Sequence, residues 1–304
     1  MNTLNCKQPF SLRFSKYLKE RFAPMEYGFL SLVFSLAGLC LSSSLRLGTV
    51  SLPLQSTLSA MAVTLFMFFQ LRVIDEHKDH ENDCLYLPER PVPRGLVSLS
   101  ELKVVGLSLL GVQLVLCLTN KITFLLLLLS FCYMGLMARE FFAGNYLARR
   151  PMLYMLVHMP VMLFIDLVIT SFDFALSGFD ARLLYFFAAS FLSGIIVEVG
   201  RKVLPAPQPG ITSYNHILGL KSATVLLQLC IVLAQVCLCL VLSPLSHSWL
   251  APLAFLVFDF LVLPGYGKAK DQTLAKVFAK LSNLSVLFGY LTVLMVTLIH
   301  SFFH

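Results

Sequence analysis

Charged residues are scarce in this sequence. Asp, Glu, Lys and Arg make up only 13% of its 304 residues, about half of the quarter that is usual in soluble domains. Hydrophobic residues make up 58%, and several apolar runs reach the roughly 20 residues that cross a bilayer. This composition excludes an ordinary soluble domain and predicts an all-α, polytopic membrane protein.

Paired cysteines and internal repeats are missing as well. None of the 8 cysteines belongs to a C-x-x-C pair, and most lie inside apolar runs, which is typical of buried apolar residues rather than of a metal site or disulfide framework. No cleavable signal peptide is expected, because the basic N-terminus has no early apolar core followed by a small-residue cleavage site. The missing repeat disfavours a transporter, since many transporters are built from repeats.

The apolar runs predict about nine transmembrane helices. Residues 8–23 mix Phe and Leu with Arg and Lys, which is typical of an amphipathic helix on the membrane surface. The sequence is therefore divided into an N-terminal basic segment, residues 1–24, and a single transmembrane domain, residues 25–304. The predicted spans are residues 25–45, 52–73, 99–118, 121–137, 151–170, 180–199, 217–242, 249–263 and 283–300.

The basic residues predict the orientation of these spans. With the N-terminus inside, 20 of the 23 Lys and Arg residues fall in cytoplasmic segments, as the positive-inside rule requires. Only Arg46, Lys121 and Arg182 fall outside. The orientation is therefore predicted to be N-in, C-out. The net charge of +7 reflects this topology, and no nucleic-acid partner is expected.

An acidic stretch follows the second apolar run. Asp75, Asp79 and Asp83 are four residues apart, so on a continuing helix they share one face, with Glu76 at its edge. Such carboxylates repel each other by a few tenths of a kcal/mol per pair. A divalent cation with oxygen ligands would relieve this repulsion. The alternative is a charged helix end that is solvated at the membrane surface.

A second charged group lies at the inside end of the sixth predicted span. It consists of Glu198, Arg201 and Lys202, and a turn-rich loop and residues 212–219 follow it. A Glu four residues before a Lys is a favourable helical pair. The group is therefore either a structural ion pair or part of a binding site together with the acidic stretch.

Two more groups of polar residues are candidates. Arg139, Glu140, Arg149 and Arg150 occupy the inside loop between the fourth and fifth spans, where anchoring to lipid headgroups is the alternative. The fifth span itself contains ionisable groups, which at bilayer depth are usually functional. They are Tyr154, His158 and Asp166. A lone histidine is more often a packing residue, and Asp166 is expected to pair with Arg182 or to lie near the outer interface.

These motifs resemble the UbiA superfamily of intramembrane prenyltransferases. The first motif of that family, N-D-x-x-D-x-x-x-D, has the spacing of the residues from Asp75 to Asp83. Its R-P-x-x-x-G is matched by residues 90–95, Arg-Pro-Val-Pro-Arg-Gly. Its second motif, D-x-x-x-D, falls on Glu198 and Lys202 and is degenerate here.

The resemblance implies a helical bundle with a cavity that opens to the cytoplasm and to lipid. It further implies that Mg²⁺ ions hold an isoprenyl diphosphate there while an isoprenyl group is transferred to a lipophilic or aromatic acceptor. The implied metal ligands are Asp75, Glu76, Asp79, Asp83 and Glu198. The implied diphosphate-binding residues are Lys78, Arg90, Arg94, Arg139, Arg201, Lys202 and Lys221. The implied catalytic residues are Asp75, Asp79, Asp83, Lys202 and Tyr214.

The degenerate second motif suggests an altered site. A protonated lysine does not ligate magnesium, so the second metal is expected to be absent or held weakly by Glu198 alone. Arg201 and Lys202 would then neutralise the diphosphate directly, as such side chains do elsewhere. Two alternatives stay open, a UbiA-type terpene cyclase and a non-enzymatic transporter or degenerate family member. The implied location is a bacterial inner membrane, with membrane lipid as a partner and the active site on the cytoplasmic side.

Overall fold

The described part of the protein is helical. The structure is a computed structural model, and it describes residues 8–175, 178–204, 213–245 and 272–303. These residues form thirteen α-helices. The helices are α1 Phe10–Arg21, α2 Pro24–Leu47, α3 Leu54–Lys78, α4 His80–Tyr86, α5 Leu99–Cys117, α6 Lys121–Ala138, α7 Gly144–Ala148, α8 Pro151–His158, α9 Val161–Phe174, α10 Leu183–Arg201, α11 Tyr214–Leu218, α12 Leu220–Leu242 and α13 Gln272–Phe303.

Eight helical segments of the described residues are long and apolar enough to cross a membrane. They are α2, α3, α5, α6, α8 with α9, α10, α12 and residues Ala279–Phe303 of α13. This confirms the predicted all-α membrane bundle. The fifth span is broken at Met159 and Pro160, because proline has no N–H to donate to the preceding turn. The predicted span at residues 249–263 lies outside the described residues.

Local sequence signals set several helix boundaries. Ser98 and Glu101 form a capping box at the start of α5, and the side chain of Asn120 accepts from the N–H groups of Ile122 and Thr123 at the start of α6. Gly48, with a φ of 74°, ends α2 in the left-handed conformation that glycine adopts without steric cost. The amphipathic segment forms α1, whose Tyr17 is fully buried.

Polar and small residues fix how the spans pack, since lipid provides little hydrophobic drive for association. The side chain of Gln70 on α3 donates to Gln113 Oε1 on α5 at 2.8 Å. Gly38 on α2 allows close approach of α9, because a Cβ atom at this position would lie 2.9 Å from Ile169 Cγ2. The helices that pack against each other most closely include α10 with α12, α2 with α13 and α10 with α13.

Asp166 differs from its predicted environment. It is fully buried on α9, and its Oδ2 accepts a hydrogen bond from Tyr290 Oη on α13 at 3.0 Å. Tyr290 also lies 2.7 Å from Ser190 Oγ on α10. The predicted partner Arg182 instead pairs with Asp180, its neighbour in the loop. The expected pair with Arg182 was therefore wrong, because Asp166 is buried inside the bundle beside Tyr290.

The two ends of the bundle have different chemistry. One end collects the last residues of α3 and α10 with α1, α4 and the start of α8. The opposite end contains the ion pair between Arg46 Nη2 and Asp173 Oδ1, 2.7 Å apart. A cavity of about 250 Å³ lies beside that pair. It is separated from the acidic stretch by the length of α3, about 35 Å for a helix of 25 residues, and so is not part of the site described below.

Replacing Gly38 with alanine should destabilise the bundle. The new methyl group would meet Ile169 at a distance that real side chains do not tolerate, and such overpacking costs about 1–3 kcal/mol. Thermal unfolding in detergent should show the loss. Gly28→Ala is the matched control on the same helix, because a Cβ atom there meets nothing within 4 Å. Equal melting temperatures for the two variants would contradict the packing described here.

The predicted orientation can be tested with the native thiol of Cys84, which is exposed beside the acidic stretch. In a variant that keeps only this cysteine, a membrane-impermeant maleimide should react in inside-out vesicles and not in intact cells. A cysteine introduced at the exposed Ser51, at the opposite end, should show the reverse pattern. Labelling of Cys84 in intact cells would overturn the N-in orientation.

Candidate active site

The acidic stretch spans the junction of α3 and α4. The N–H of Asp79 donates to the carbonyl of Asp75 at 2.9 Å, and the N–H of Asp83 donates to the carbonyl of Asp79 at 2.7 Å. These bonds preserve the helical spacing across Asp79, although α3 ends at Lys78. The three aspartates therefore follow one another at intervals of one helical turn, as the sequence predicts.

Two of the four acidic side chains form ion pairs with arginines. Glu76, only 2% exposed, accepts a hydrogen bond from Arg21 Nε at 2.6 Å. Asp83, only 3% exposed, receives Arg90 Nη1 at 2.7 Å from each of its oxygens. A buried carboxylate needs such a partner, because an unpaired charge away from water is very costly. Glu76 and Asp83 are thus already neutralised by the chain itself.

The other two carboxylates are less completely neutralised. The cation nearest to Asp75 is Arg72, whose Nη1 lies 3.7 Å from Asp75 Oδ2, and Asp79 forms no ion pair with the described residues. Burial and the carboxylates of Asp75 and Asp83 raise the pKa of Asp79, against the opposing effect of Lys78 and Lys202. Among the described residues no group of three or more His, Cys, Asp or Glu side chains is placed to hold a metal ion, so a magnesium ion here would have at most Asp75 and Asp79 as protein ligands.

The R-P-x-x-x-G segment is a compact turn that holds the acidic stretch in place. The N–H of Leu96 donates to the carbonyl of Pro91 at 2.8 Å, and Gly95 has a φ of +77°, which requires glycine for steric reasons. Arg90 reaches back to Asp83, while Arg94 pairs with Glu20 of α1 at 2.7 Å. The two arginines predicted to bind diphosphate are therefore engaged with carboxylates of the protein.

In the second charged group, Arg201 and Lys202 both form ion pairs with Glu198. This residue is 5% exposed. Arg201 Nη2 lies 2.6 Å from its Oε2, and Lys202 Nζ lies 2.6 Å from its Oε1. The hydroxyl of Tyr214 also interacts with this carboxylate. Because both oxygens are occupied, Glu198 does not fit a metal ion in this arrangement, whereas Arg201 and Lys202 give the group an excess positive charge.

Tyr214 is held in place by its neighbours and is protonated at neutral pH. It is 1% exposed, and burial together with the charge of Glu198 raises its pKa. This favours a hydrogen-bond donor over a proton acceptor. Asn215 clamps the segment to the end of α10, since its side chain accepts from the N–H of Leu204 at 3.0 Å and donates to the Leu204 carbonyl at 2.7 Å.

The two predicted groups meet at this end of the bundle. Lys202 is close enough to Asp79 to affect its ionisation, and Arg201 interacts electrostatically with both Asp75 and Arg72. A face with surplus negative charge thus lies beside a group with surplus positive charge. Such a surface can hold a cation and a multiply charged anion together.

The remaining predicted residues are distributed differently. Lys78 belongs to this end of the bundle and contacts Tyr154 and His158 of α8. Arg139 and Lys221 are exposed and form no ion pair with the described residues. Sequence reasoning missed Arg21 and Arg72. Arg72 lies one helical turn before Asp75, which is a usable signal, whereas nothing in the sequence links Arg21 to a glutamate 55 residues away.

Solved structures of similar shape identify the architecture. A UbiA homolog from Aeropyrum pernix K1 in its apo form matches with a TM-score of 0.67 and 16% identity, over 89% of this chain and 98% of that one. The chain has the UbiA fold. A digeranylgeranylglyceryl phosphate synthase structure matches with a TM-score of 0.65 and 18% identity, over 94% of this chain and 99% of that one. No family model matches the sequence, and no curated protein matches it significantly.

The pair of Arg90 and Asp83 should be essential for stability. Arg90→Gln leaves the buried Asp83 without a counter-charge and should cost about 3–5 kcal/mol, whereas the double variant Arg90→Gln/Asp83→Asn should recover most of this loss. Chemical unfolding in detergent measures both effects. Arg94→Gln is the control, because its pair with Glu20 is far more exposed and should contribute less than about 1 kcal/mol. An Arg90→Gln variant as stable as the native protein would show that the pair does not support the fold.

Proposed function

We propose that this protein is a magnesium-dependent intramembrane prenyltransferase, which transfers an isoprenyl group from an isoprenyl diphosphate to a lipophilic or aromatic acceptor. One observation carries the proposal. The incompletely neutralised carboxylates of Asp75 and Asp79 lie within electrostatic range of the cationic group of Arg201 and Lys202 at one end of a UbiA-fold bundle. A magnesium diphosphate matches the charges of this surface, because it contains a divalent cation for the carboxylates and a multiply charged anion for the Arg and Lys side chains.

In this proposal the acidic residues of the site bind the metal and the basic residues bind the diphosphate. Asp75 and Asp79 hold the metal, which when bound draws negative charge from the leaving diphosphate. On the other side, Arg201 and Lys202 form charge-assisted hydrogen bonds with the diphosphate oxygens as the bond to the allylic carbon breaks. Glu198 keeps these two cations at fixed positions, since it contacts each of them at 2.6 Å.

The other predicted residues take supporting roles in this proposal. Arg90 holds Asp83, and Arg94 ties the turn to α1 through Glu20. Tyr214 interacts with Glu198 and thereby helps to orient the cationic group. The acidic end of α3 then stays rigid while the substrate binds. Catalytic groups that are positioned in advance need no costly rearrangement during the reaction.

The location follows from the same proposal. The positive-inside distribution of basic residues supports an active site on the cytoplasmic side of what we take to be a bacterial inner membrane. Water-soluble diphosphates and their magnesium would reach it from the cytoplasm, while lipophilic acceptors would enter from the bilayer. The apolar surroundings of the span interiors protect an allyl cation from water.

Activity should depend on Asp79 and on magnesium. Purified protein should release pyrophosphate from geranyl, farnesyl or geranylgeranyl diphosphate in the presence of membrane lipid extract and Mg²⁺. Asp79→Ala should reduce the rate by about a hundredfold or more, because it removes stabilisation of the leaving group. Normal insertion and melting of the variant would show that the loss is chemical.

Glu81→Gln is the matched control, since it removes an exposed carboxylate of α4 and should keep the native rate. Product analysis without lipid extract separates transfer from cyclisation, because only a cyclase forms a cyclic hydrocarbon or alcohol without an acceptor. An Asp79→Ala variant with full activity would refute the assignment. If no isoprenyl diphosphate is bound or consumed by the native protein, the proposed function is wrong.

A further inference from the structure

Lys78 is held in a way that leaves its charge available. Its side chain is 9% exposed, and Nζ donates to Tyr154 Oη at 2.6 Å and lies 3.2 Å from His158 Nε2. A phenol and an imidazole satisfy two N–H groups of the ammonium without cancelling its positive charge. A buried cation with neutral partners is costly unless an anion is near, and it therefore attracts one.

The two hydrogen bonds of the His158 ring together require its neutral form. Nδ1 lies 2.8 Å from the carbonyl oxygen of Tyr154, so Nδ1 carries the proton and Nε2 accepts from Lys78. The ring is stacked on Tyr154, with centroids 3.9 Å apart, and the edge of Phe141 packs against it at 5.5 Å. These contacts fix the position of the ammonium group before any ligand binds.

Among the described residues, Glu140 is the carboxylate that forms an ion pair with Lys78. Its Oε1 lies 3.7 Å from Nζ, and its side chain is 35% exposed. That distance is beyond a hydrogen bond. By contrast, the pairs formed by Arg21 with Glu76 and by Lys202 with Glu198 are closed at 2.6 Å. The contact between Glu140 and Lys78 is therefore looser than these two pairs, as is the contact between Arg72 and Asp75, which is also 3.7 Å long.

The backbone that carries Glu140 is strained. Glu140, Phe141 and Phe142 have φ values of 48°, 53° and 56°, in the left-handed region that costs a non-glycine residue about 1–2 kcal/mol. The strained turn places Glu140 beside Lys78 and Phe141 on His158. Backbone strain of this kind clusters where a segment changes conformation or binds a ligand.

We infer that Lys78, fixed by Tyr154 and His158, binds a phosphate group of the substrate. Glu140 is its counter-ion in the absence of substrate, and the substrate's diphosphate displaces it. The inference rests on the proposed function and adds residues to it. Lys78 is next to the proposed metal ligand Asp79 in the sequence, and Lys78 and Lys202 both affect the ionisation of Asp79. A diphosphate is larger than one cationic group and can contact Lys78 and Lys202 from both sides of Asp79.

Binding of inorganic pyrophosphate to the purified full-length protein, measured calorimetrically in detergent with Mg²⁺, tests the inference. Glu140→Gln should bind pyrophosphate roughly fivefold more tightly, because the phosphate no longer competes with one partly exposed carboxylate. Glu89→Gln is the matched control, since it removes an exposed carboxylate of the neighbouring turn and should leave the affinity unchanged. Lys78→Met should weaken binding, and Glu140→Gln should then have no further effect.

Four outcomes decide between the possibilities. Equal affinity of the native protein and Glu140→Gln overturns the inference while leaving the proposed function intact. A gain from Glu140→Gln that persists in the Lys78→Met background also overturns it, since the effect would then be long-range electrostatics. If Lys78→Met does not fold, Lys78→Arg is used instead. Because it keeps the charge, Glu140→Gln should still tighten pyrophosphate binding in that background, and a lost or reversed effect overturns the inference. Failure of the native protein to bind pyrophosphate contradicts the proposed function itself.

Discussion

Neutralisation of buried carboxylates organises the active end of this molecule. Glu76, Asp83 and Glu198 are each less than a tenth exposed, and each lies 2.6–2.7 Å from an Arg or Lys nitrogen. An unpaired charge in such surroundings would cost several kcal/mol. The partners come from α1, from the turn after α4 and from the end of α10. The pair of Arg21 and Glu76 thus ties α1 to α3, while Asp75 keeps only the longer contact with Arg72 and Asp79 forms no ion pair with the described residues.

The sequence predicts the spans well because hydrophobic length is a property of each segment alone. A run of about 20 apolar residues has few alternatives to a membrane helix, and the spacing of Asp75, Asp79 and Asp83 carries the helix across their junction. The same reasoning explains why the UbiA fold is kept at 16–18% identity. Many sequences can satisfy one pattern of apolar helices with polar ends.

Partners that are distant in sequence could not be predicted. Arg21 reaches Glu76 because α1 lies against the end of α3, and Asp166 reaches Tyr290 because α9 and α13 both pack against α2 and α10. Neither contact leaves a periodic signal in the sequence. The left-handed turn at residues 140–142 was equally hidden, since it contains no glycine, whereas Gly48 and Gly95 marked their turns in advance. Tertiary contacts and strained backbone were therefore the two main gaps in the sequence-based description.

The hydrogen bond between Tyr290 and Asp166 has a consequence for biogenesis. The two residues are separated by 124 positions, so at 5–20 residues per second the ribosome needs roughly 6–25 s to supply the tyrosine after the aspartate. During this interval the carboxyl group of a newly inserted α9 lacks its partner from α13. A chain that stops before α13 retains that defect permanently. The last helix thus completes the polar interior, because Tyr290 reaches both Asp166 and Ser190.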